Sequence, residues 1–162
     1  MARVYISIGS NINPAENVQQ AVKVLREHFS ELNVSPVYES EAVGFEGSNF
    51  LNLVVAASTG LDVHETNALL HKIEDEYGRD RSGPRFSSRT IDLDLLLYDD
   101  LVMNEHGLEI PREEILQNAF VLWPLADVAA GLIHPQHGKT MAELWQAFDK
   151  SSQKLWPIEL EL

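Results

Sequence analysis

The chain has 162 residues, 44% of them hydrophobic and 23% charged, with a formal net charge of −13 and no cysteine. Such a length suits one domain, residues 1–162, with a core large enough to fold alone. The acidity argues against nucleic acid or another polyanion as the main partner, and the lack of thiols excludes disulfides and thiolate metal sites.

No apolar run reaches the roughly 20 residues of a membrane helix. The opening "MARVYISIGS" reads as a strand at once and not as an export signal. The expectation is a cytoplasmic monomer acting on small molecules, with no membrane partner.

In chain order, "VYISI" alternates Val4, Ile6 and Ile8 on one face, as a strand does, and is expected to stop at "GSN". "NPAE" then opens a helix, with Asn13 as N-cap, Pro14 at the first helical position and Glu16 closing a capping box. Val18, Val22, Leu25 and Phe29 continue at helical spacing. "NVSPVYES" is a second strand, which Pro36 confines to an edge or a bulge. "NFLNLVVAAST" is a third, almost continuously apolar and so central. A second helix follows, capped by Asp62 and Glu65, with Leu69, Leu70, Ile73 and Tyr77 as its stripe and Gly78 as its stop. The acids Glu74, Asp75 and Glu76 fall mostly on its solvated face. After an arginine-rich loop comes the strand "TIDLDLLLYDD".

The order β-α-β-β-α-β predicts an α+β, ferredoxin-like core, with two helices on one face of an antiparallel sheet. Beyond it a short hairpin ("LVMN", "LEIP") and helical pieces around 112–130 and 140–148 complete the chain. "HPQHG" reads as a turn, Trp123, Trp145 and Trp156 as packing, Asp99 and Asp100 as a solvated turn, and the last dozen residues as peripheral.

The chemistry concentrates in one place. Of seven arginines, Arg79, Arg81, Arg85 and Arg89 fall within eleven residues, and that stretch runs directly into Asp92 and Asp94. Residues i and i+2 of a strand share a face, roughly 6.6 Å apart. Two carboxylates so placed repel one another and resist desolvation unless protons or cations join them. Mg2+ is the natural occupant, a hard ion that shares its oxygen shell with phosphates. Two such ions, roughly 3.5–4 Å apart, can bridge adjacent phosphates. The arginines are then suited to grip the remaining phosphate oxygens in pairs of hydrogen bonds. The competing reading is an edge strand whose acids meet water or pair with a solvated arginine loop. With no "GxxxxGK[ST]" and no "GxGxxG", P-loop kinases and Rossmann enzymes are disfavoured.

The stretches "YISIGSN", "FLNLVV", "RDRSGPRFSSRTIDLDLLLY" and "FVLWPL", in that order, resemble the 6-hydroxymethyl-7,8-dihydropterin pyrophosphokinase family of folate synthesis. The resemblance runs from Val4 to about Trp145. It implies a ferredoxin-like fold, ATP as co-substrate, and transfer of the β,γ-pyrophosphate to the pterin's hydroxymethyl oxygen with release of AMP. It implies that Asp92 and Asp94 bind two Mg2+ ions, and that Arg81, Arg85 and Arg89, with Arg79 beside them, serve the triphosphate and the catalytic loop. It places Glu74 by the nucleotide and the Leu95 backbone against adenine. Asn52 would hydrogen-bond the pterin, Phe50, Phe86 and Phe120 would surround it, and Ser40, Val43 and Gly44 would line its pocket. Gly44, Gly47 and Gly83 fit loops that close over the substrates. The chain departs from the family's usual pattern at Ser87 and Ser88, at Arg112 (commonly histidine), at Asn118 (normally arginine) and at His71 (often glutamine). Two alternatives stand beside this reading: a non-catalytic paralogue that binds pterin or nucleotide, and another two-metal nucleotidyl transferase.

Overall fold

The computed structural model describes residues 1–41, 49–77 and 91–162. Strand β1 (Ala2–Ser10) lies between β4 (Phe50–Thr59) and β5 (Asp92–Tyr98), antiparallel to both. Beyond β4 stand β2 (Ser30–Val34) and β3 (Val37–Ser40), each paired with β4, and β8 (Leu155–Ile158) is added outside β3. With helices α1 (Pro14–His28) and α2 (Val63–Tyr77) the order is β-α-β-β-β-α-β, the expected order with its second strand in two pieces. A small separate hairpin of β6 (Met103–Glu105) and β7 (Leu108–Ile110) precedes α3 (Glu114–Gln117), α4 (Ala119–Val128) and α5 (Met141–Ala147).

Alternation along the strands divides the molecule into two apolar layers. Val4, Ile6 and Ile8 of β1, Leu53 and Val55 of β4, and Leu93 and Leu95 of β5 pack with Val18, Leu25, Leu70 and Ile73 of α1 and α2. Tyr5, Val54, Ala56, Leu96 and Leu97 face the other way, onto Val121, Leu122, Leu125 and Met141 of α4 and α5. Each fully buried side chain of this kind contributes roughly 1.5–3 kcal/mol relative to exposure. The sheet is therefore covered on both faces, where the sequence pattern alone predicted two helices on one.

Several local expectations meet a physical correction. β1 continues into "GSN" as far as Ser10, which puts Gly9 inside the strand. Asn13 adopts the left-handed conformation (φ 40, ψ 52) and forms no side-chain cap, because capping needs extended backbone at that residue. The first turn is tied instead by Asn17, whose amide and N–H donate to the carbonyls of Ile12 and Asn13. Pro36 divides the second strand into β2 and β3. The capping box of α2 is present: Glu65 N–H donates to Asp62 Oδ1 at 2.8 Å and Asp62 N–H to Glu65 Oε1 at 3.0 Å. Tyr77, expected in the stripe, is 42% exposed at the helix end, and Glu74 takes a buried position in its place. Asp99 is exposed, yet its Oδ1 accepts the Arg3 N–H at 2.7 Å. The C-terminal segment is an added edge strand and not merely a peripheral tail.

Trp123 and Trp145 stack (5.1 Å, 17°), and Trp123 also meets Tyr38 at 4.4 Å. The Tyr38 hydroxyl donates to Asp127, joining β3 to α4; burial first, and then this partner, push the hydroxyl's pKa well up. Tyr38→Phe leaves the Asp127 carboxylate without that donor and is expected to lower stability by about 1–3 kcal/mol, read as an urea midpoint shift at constant m.

In the "HPQHG" turn, His134 is buried and its Nδ1 accepts the Gln136 N–H at 3.1 Å. Burial, then His137, hold its pKa below the ordinary 6.5. The unfolded chain thus binds a proton that the folded one refuses. His134 contributes its full stability above about pH 6.5 and loses it as the pH falls toward the depressed folded value. Relative to wild type, His134→Asn is expected to show a flatter thermal midpoint between pH 7 and 5. Among the described residues no helix is long and apolar enough to cross a membrane.

Candidate active site

The site lies on the α3–α4 side of the sheet, beside the first turn of α4. Register fixes its floor. Gly9 of β1 stands opposite Asp92 of β5 on one side and Asn52 of β4 on the other, and Asn52 stands opposite Tyr38. One step along, Ser7 separates Asp94 from Val54. With neighbouring strands roughly 4.8 Å apart, the aspartates and Asn52 sit on opposite flanks, two strands from one another. Between them Gly9 presents no side chain. A Cβ there would come within 3.3 Å of Asn52 Oδ1, so the glycine keeps the floor open.

The result is a cleft of about 360 Å3, lined by Ser7, Gly9 and Asn52 below, Asp92 and Asp94 on one flank, and Ser40 and Phe50 on the other. Glu114, Asn118 and Phe120 close it from the helical layer. Asn52 and Ser40 are both buried, and Asn52 Nδ2 donates to Ser40 Oγ at 2.8 Å. Phe50 and Phe120 bring half-buried apolar rings to the same cavity as the two aspartates. One cleft thus combines a charged end with an aromatic and amide end.

The aspartates share a face, as their spacing demands, while Leu93 and Leu95 point into the core. A bulge opposite Tyr5 and Ile6 then gives Leu96 and Leu97 to the other apolar layer. Beneath the pair, Glu74 of α2 reaches the outer edge of β5, where its Oε2 accepts the Leu93 N–H at 3.1 Å. This buried carboxylate holds the backbone between the two aspartates. The Leu95 side chain is wholly buried.

Among the described residues the cleft is lined by acids and by no cation. Arg112 Nη2 stands 3.4 Å from Asp94 Oδ1, and its Nε 3.8 Å from Glu114 Oε1. Burial, followed by the nearby Asp94 charge, raises the Glu114 carboxyl above its ordinary 4.5. Hard oxygen donors facing an open cleft, with a guanidinium drawn toward them, suit a divalent cation completed by water and phosphate. Among the described residues no three carboxylate or imidazole ligands converge on one point. Asp92 and Asp94 are the two described carboxylates of the cleft that share one strand face.

Of the residues singled out from sequence, Ser40, Phe50, Asn52, Asp92, Asp94 and Phe120 meet in this cleft. Arg79, Arg81, Arg85, Phe86 and Arg89 lie outside the described residues, as do Val43 and Gly44 and, with them, Gly47, Gly78, Gly83, Ser87 and Ser88. The sequence reading missed Ser7, Gly9 and Glu114. Gly9 carried a usable signal, because a lone glycine in a strand pattern marks a close approach; Glu114 carried none.

The sheet, covered by helices on both faces, thus presents paired carboxylates beside an amide- and aromatic-lined pocket. Residues 5–130 match the family model described as 7,8-dihydro-6-hydroxymethylpterin-pyrophosphokinase (HPPK). The 2-amino-4-hydroxy-6-hydroxymethyldihydropteridine pyrophosphokinase of Aquifex aeolicus is 36% identical over 145 residues, 88% of this chain and 90% of that one. The Bacillus subtilis protein of the same name is 38% identical over 128 residues, 76% of each chain. Among solved structures, a wild-type Plasmodium falciparum HPPK-DHPS superposes with a TM-score of 0.70 at 14% identity, which bears on the fold. It covers 90% of this chain, and the chain spans 43% of that longer protein. The chain belongs to the 7,8-dihydro-6-hydroxymethylpterin-pyrophosphokinase family.

Proposed function

We propose that the chain transfers the β,γ-pyrophosphate of ATP to the hydroxymethyl oxygen of 6-hydroxymethyl-7,8-dihydropterin, with Asp92 and Asp94 holding two Mg2+ ions. The observation that carries this is the shared cleft: the aspartate pair at one end, and Asn52, Phe50 and Phe120 at the other, across a floor that Gly9 leaves bare. Pterin is a flat, amide-rich ring. Asn52, buried and oriented by Ser40, offers it a fixed polar edge. Phe50 and Phe120 offer faces, and stacking adds roughly 0.5–1.5 kcal/mol beyond burial.

Bound there, the cations would neutralise triphosphate charge as it redistributes in the transition state. The chain's own part is placement. Glu74 and the pairing with β1 hold β5 so that both carboxylates face the cleft, where the phosphates would lie. Leu93 turns its N–H outward to Glu74, and alternation along the strand gives the Leu95 backbone the same outward direction, open to a purine edge. The acceptor oxygen then lies in line with the β-phosphorus: the new bond is O–Pβ, the broken bond joins Pβ to the oxygen bridging Pα, AMP leaves with that oxygen, and the hydroxyl proton passes to solvent. Catalysis by positioning and charge stabilisation is the general pattern for such transfers.

The test is AMP release from MgATP with and without hydroxymethyl-dihydropterin. Pterin-dependent AMP is the expected result. Pterin binding without turnover would identify a non-catalytic paralogue, and a different nucleotide product another nucleotidyl transferase.

A further inference from the structure

Arg112 is anchored at one end and loosely held at the other. Its N–H donates to the Leu96 carbonyl at 3.0 Å, which fixes its backbone to β5. Its guanidinium lies between two carboxylates of the cleft, 3.4 Å from Asp94 and 3.8 Å from Glu114. Both contacts exceed good hydrogen-bond length, so charge rather than directed bonding keeps the head in place. Its Nε is buried and has no hydrogen-bond partner among the described residues. A buried donor without a partner is costly, and a small displacement of the head toward a better acceptor relieves it.

We propose that Arg112 is a positioning residue that occupies the Asp94 carboxylate in the nucleotide-free protein and competes with a free divalent cation for it. A cation that arrives alone must displace a positive group from Asp94 or bind beside it, and either lowers its affinity. A cation that arrives with a nucleotide brings phosphate oxygens, which give the displaced guanidinium a new anionic partner and satisfy its Nε. Arg112 therefore favours entry of the metal–nucleotide complex over entry of the bare ion. This rests on the reading of Asp92 and Asp94 as the cation-binding pair.

The experiment is Mn2+ binding to the nucleotide-free protein, followed by electron paramagnetic resonance and by calorimetry. Arg112→Gln is expected to bind Mn2+ about three- to tenfold more tightly than wild type, because a like charge near the site is gone. Arg112→Lys, which keeps the charge, stays within about twofold of wild type. With Mn2+ and a non-hydrolysable ATP analogue together, Arg112→Gln binds the complex no more tightly than wild type does. Unchanged or weaker Mn2+ binding by a folded Arg112→Gln overturns the proposal, provided Asp94→Ala weakens Mn2+ binding. Should Asp94→Ala leave Mn2+ binding untouched, the aspartate-pair reading itself fails, and the two failures are distinguished.

Discussion

Asp94→Ala is expected to lower pterin-dependent AMP formation by about 10³-fold or more while the protein stays folded. If the pair holds the cations as proposed, removing one carboxylate withdraws charge stabilisation in the transition state, so the loss falls on kcat as well as on KM for MgATP. The fold survives because Asp94 is part-exposed at the cleft and outside both apolar layers, and its ion pair with Arg112 is a partly solvated one of modest worth. Asp92→Ala behaves alike. Asp99→Ala supplies the control: its carboxylate binds the Arg3 N–H at the far end of β5, so turnover is unchanged even if the thermal midpoint falls slightly. Steady-state AMP release with circular dichroism on the same samples reads both quantities. Asp94→Ala with near wild-type turnover would remove the cation-binding role.

The second large effect concerns the floor. Gly9→Val is expected to reduce kcat/KM for the pterin at least about tenfold. The strand tolerates valine by propensity, since β-branched residues fit a pleated, half-buried surface. The cleft does not tolerate it. Even the first added carbon meets Asn52 Oδ1 at 3.3 Å, and Asn52 is buried and donates through Nδ2 to Ser40, which limits its room to shift. The two methyl groups of valine then fill the space proposed for the heterocycle, at an overpacking cost of about 1–3 kcal/mol. Gly9→Ala should fall between wild type and Gly9→Val. The check is pterin titration at saturating MgATP. An unaltered pterin KM in Gly9→Val would mean that the ring does not lie over this floor.

Much of this was legible in the chain itself. Alternation in "VYISI", the unbroken apolar run of "NFLNLVVAAST" and the Asp62–Glu65 box each report a local energy that the fold keeps, which is why β1, β4 and α2 stand where the pattern put them. "DLD" was legible for the same reason, because strand geometry alone dictates that i and i+2 share a face. What local patterns could not report was anything set by a distant neighbour. Asn13 looks like a cap, but the chain turning off β1 forces it into a left-handed conformation that no cap can use. Glu74 sits among acids on a solvated helix, and only the arrival of the β5 edge, nineteen residues later, turns it into a buried acceptor for Leu93. Glu114 joins the cleft because α3 is folded over the sheet, and nothing in its own surroundings signals this. The second helical layer was equally hidden, since short segments such as "FVLWPL" are apolar on every side and do not say which face they cover.

The most direct measurement is anomalous diffraction from crystals soaked with Mn2+, a non-hydrolysable ATP analogue and the pterin. The expected map has manganese peaks in contact with carboxylate oxygens of both Asp92 and Asp94, the triphosphate against them, and the ring over Gly9 between Phe50 or Phe120 and Asn52. Peaks away from both aspartates, or a nucleotide bound elsewhere while the two side chains turn apart, would contradict it.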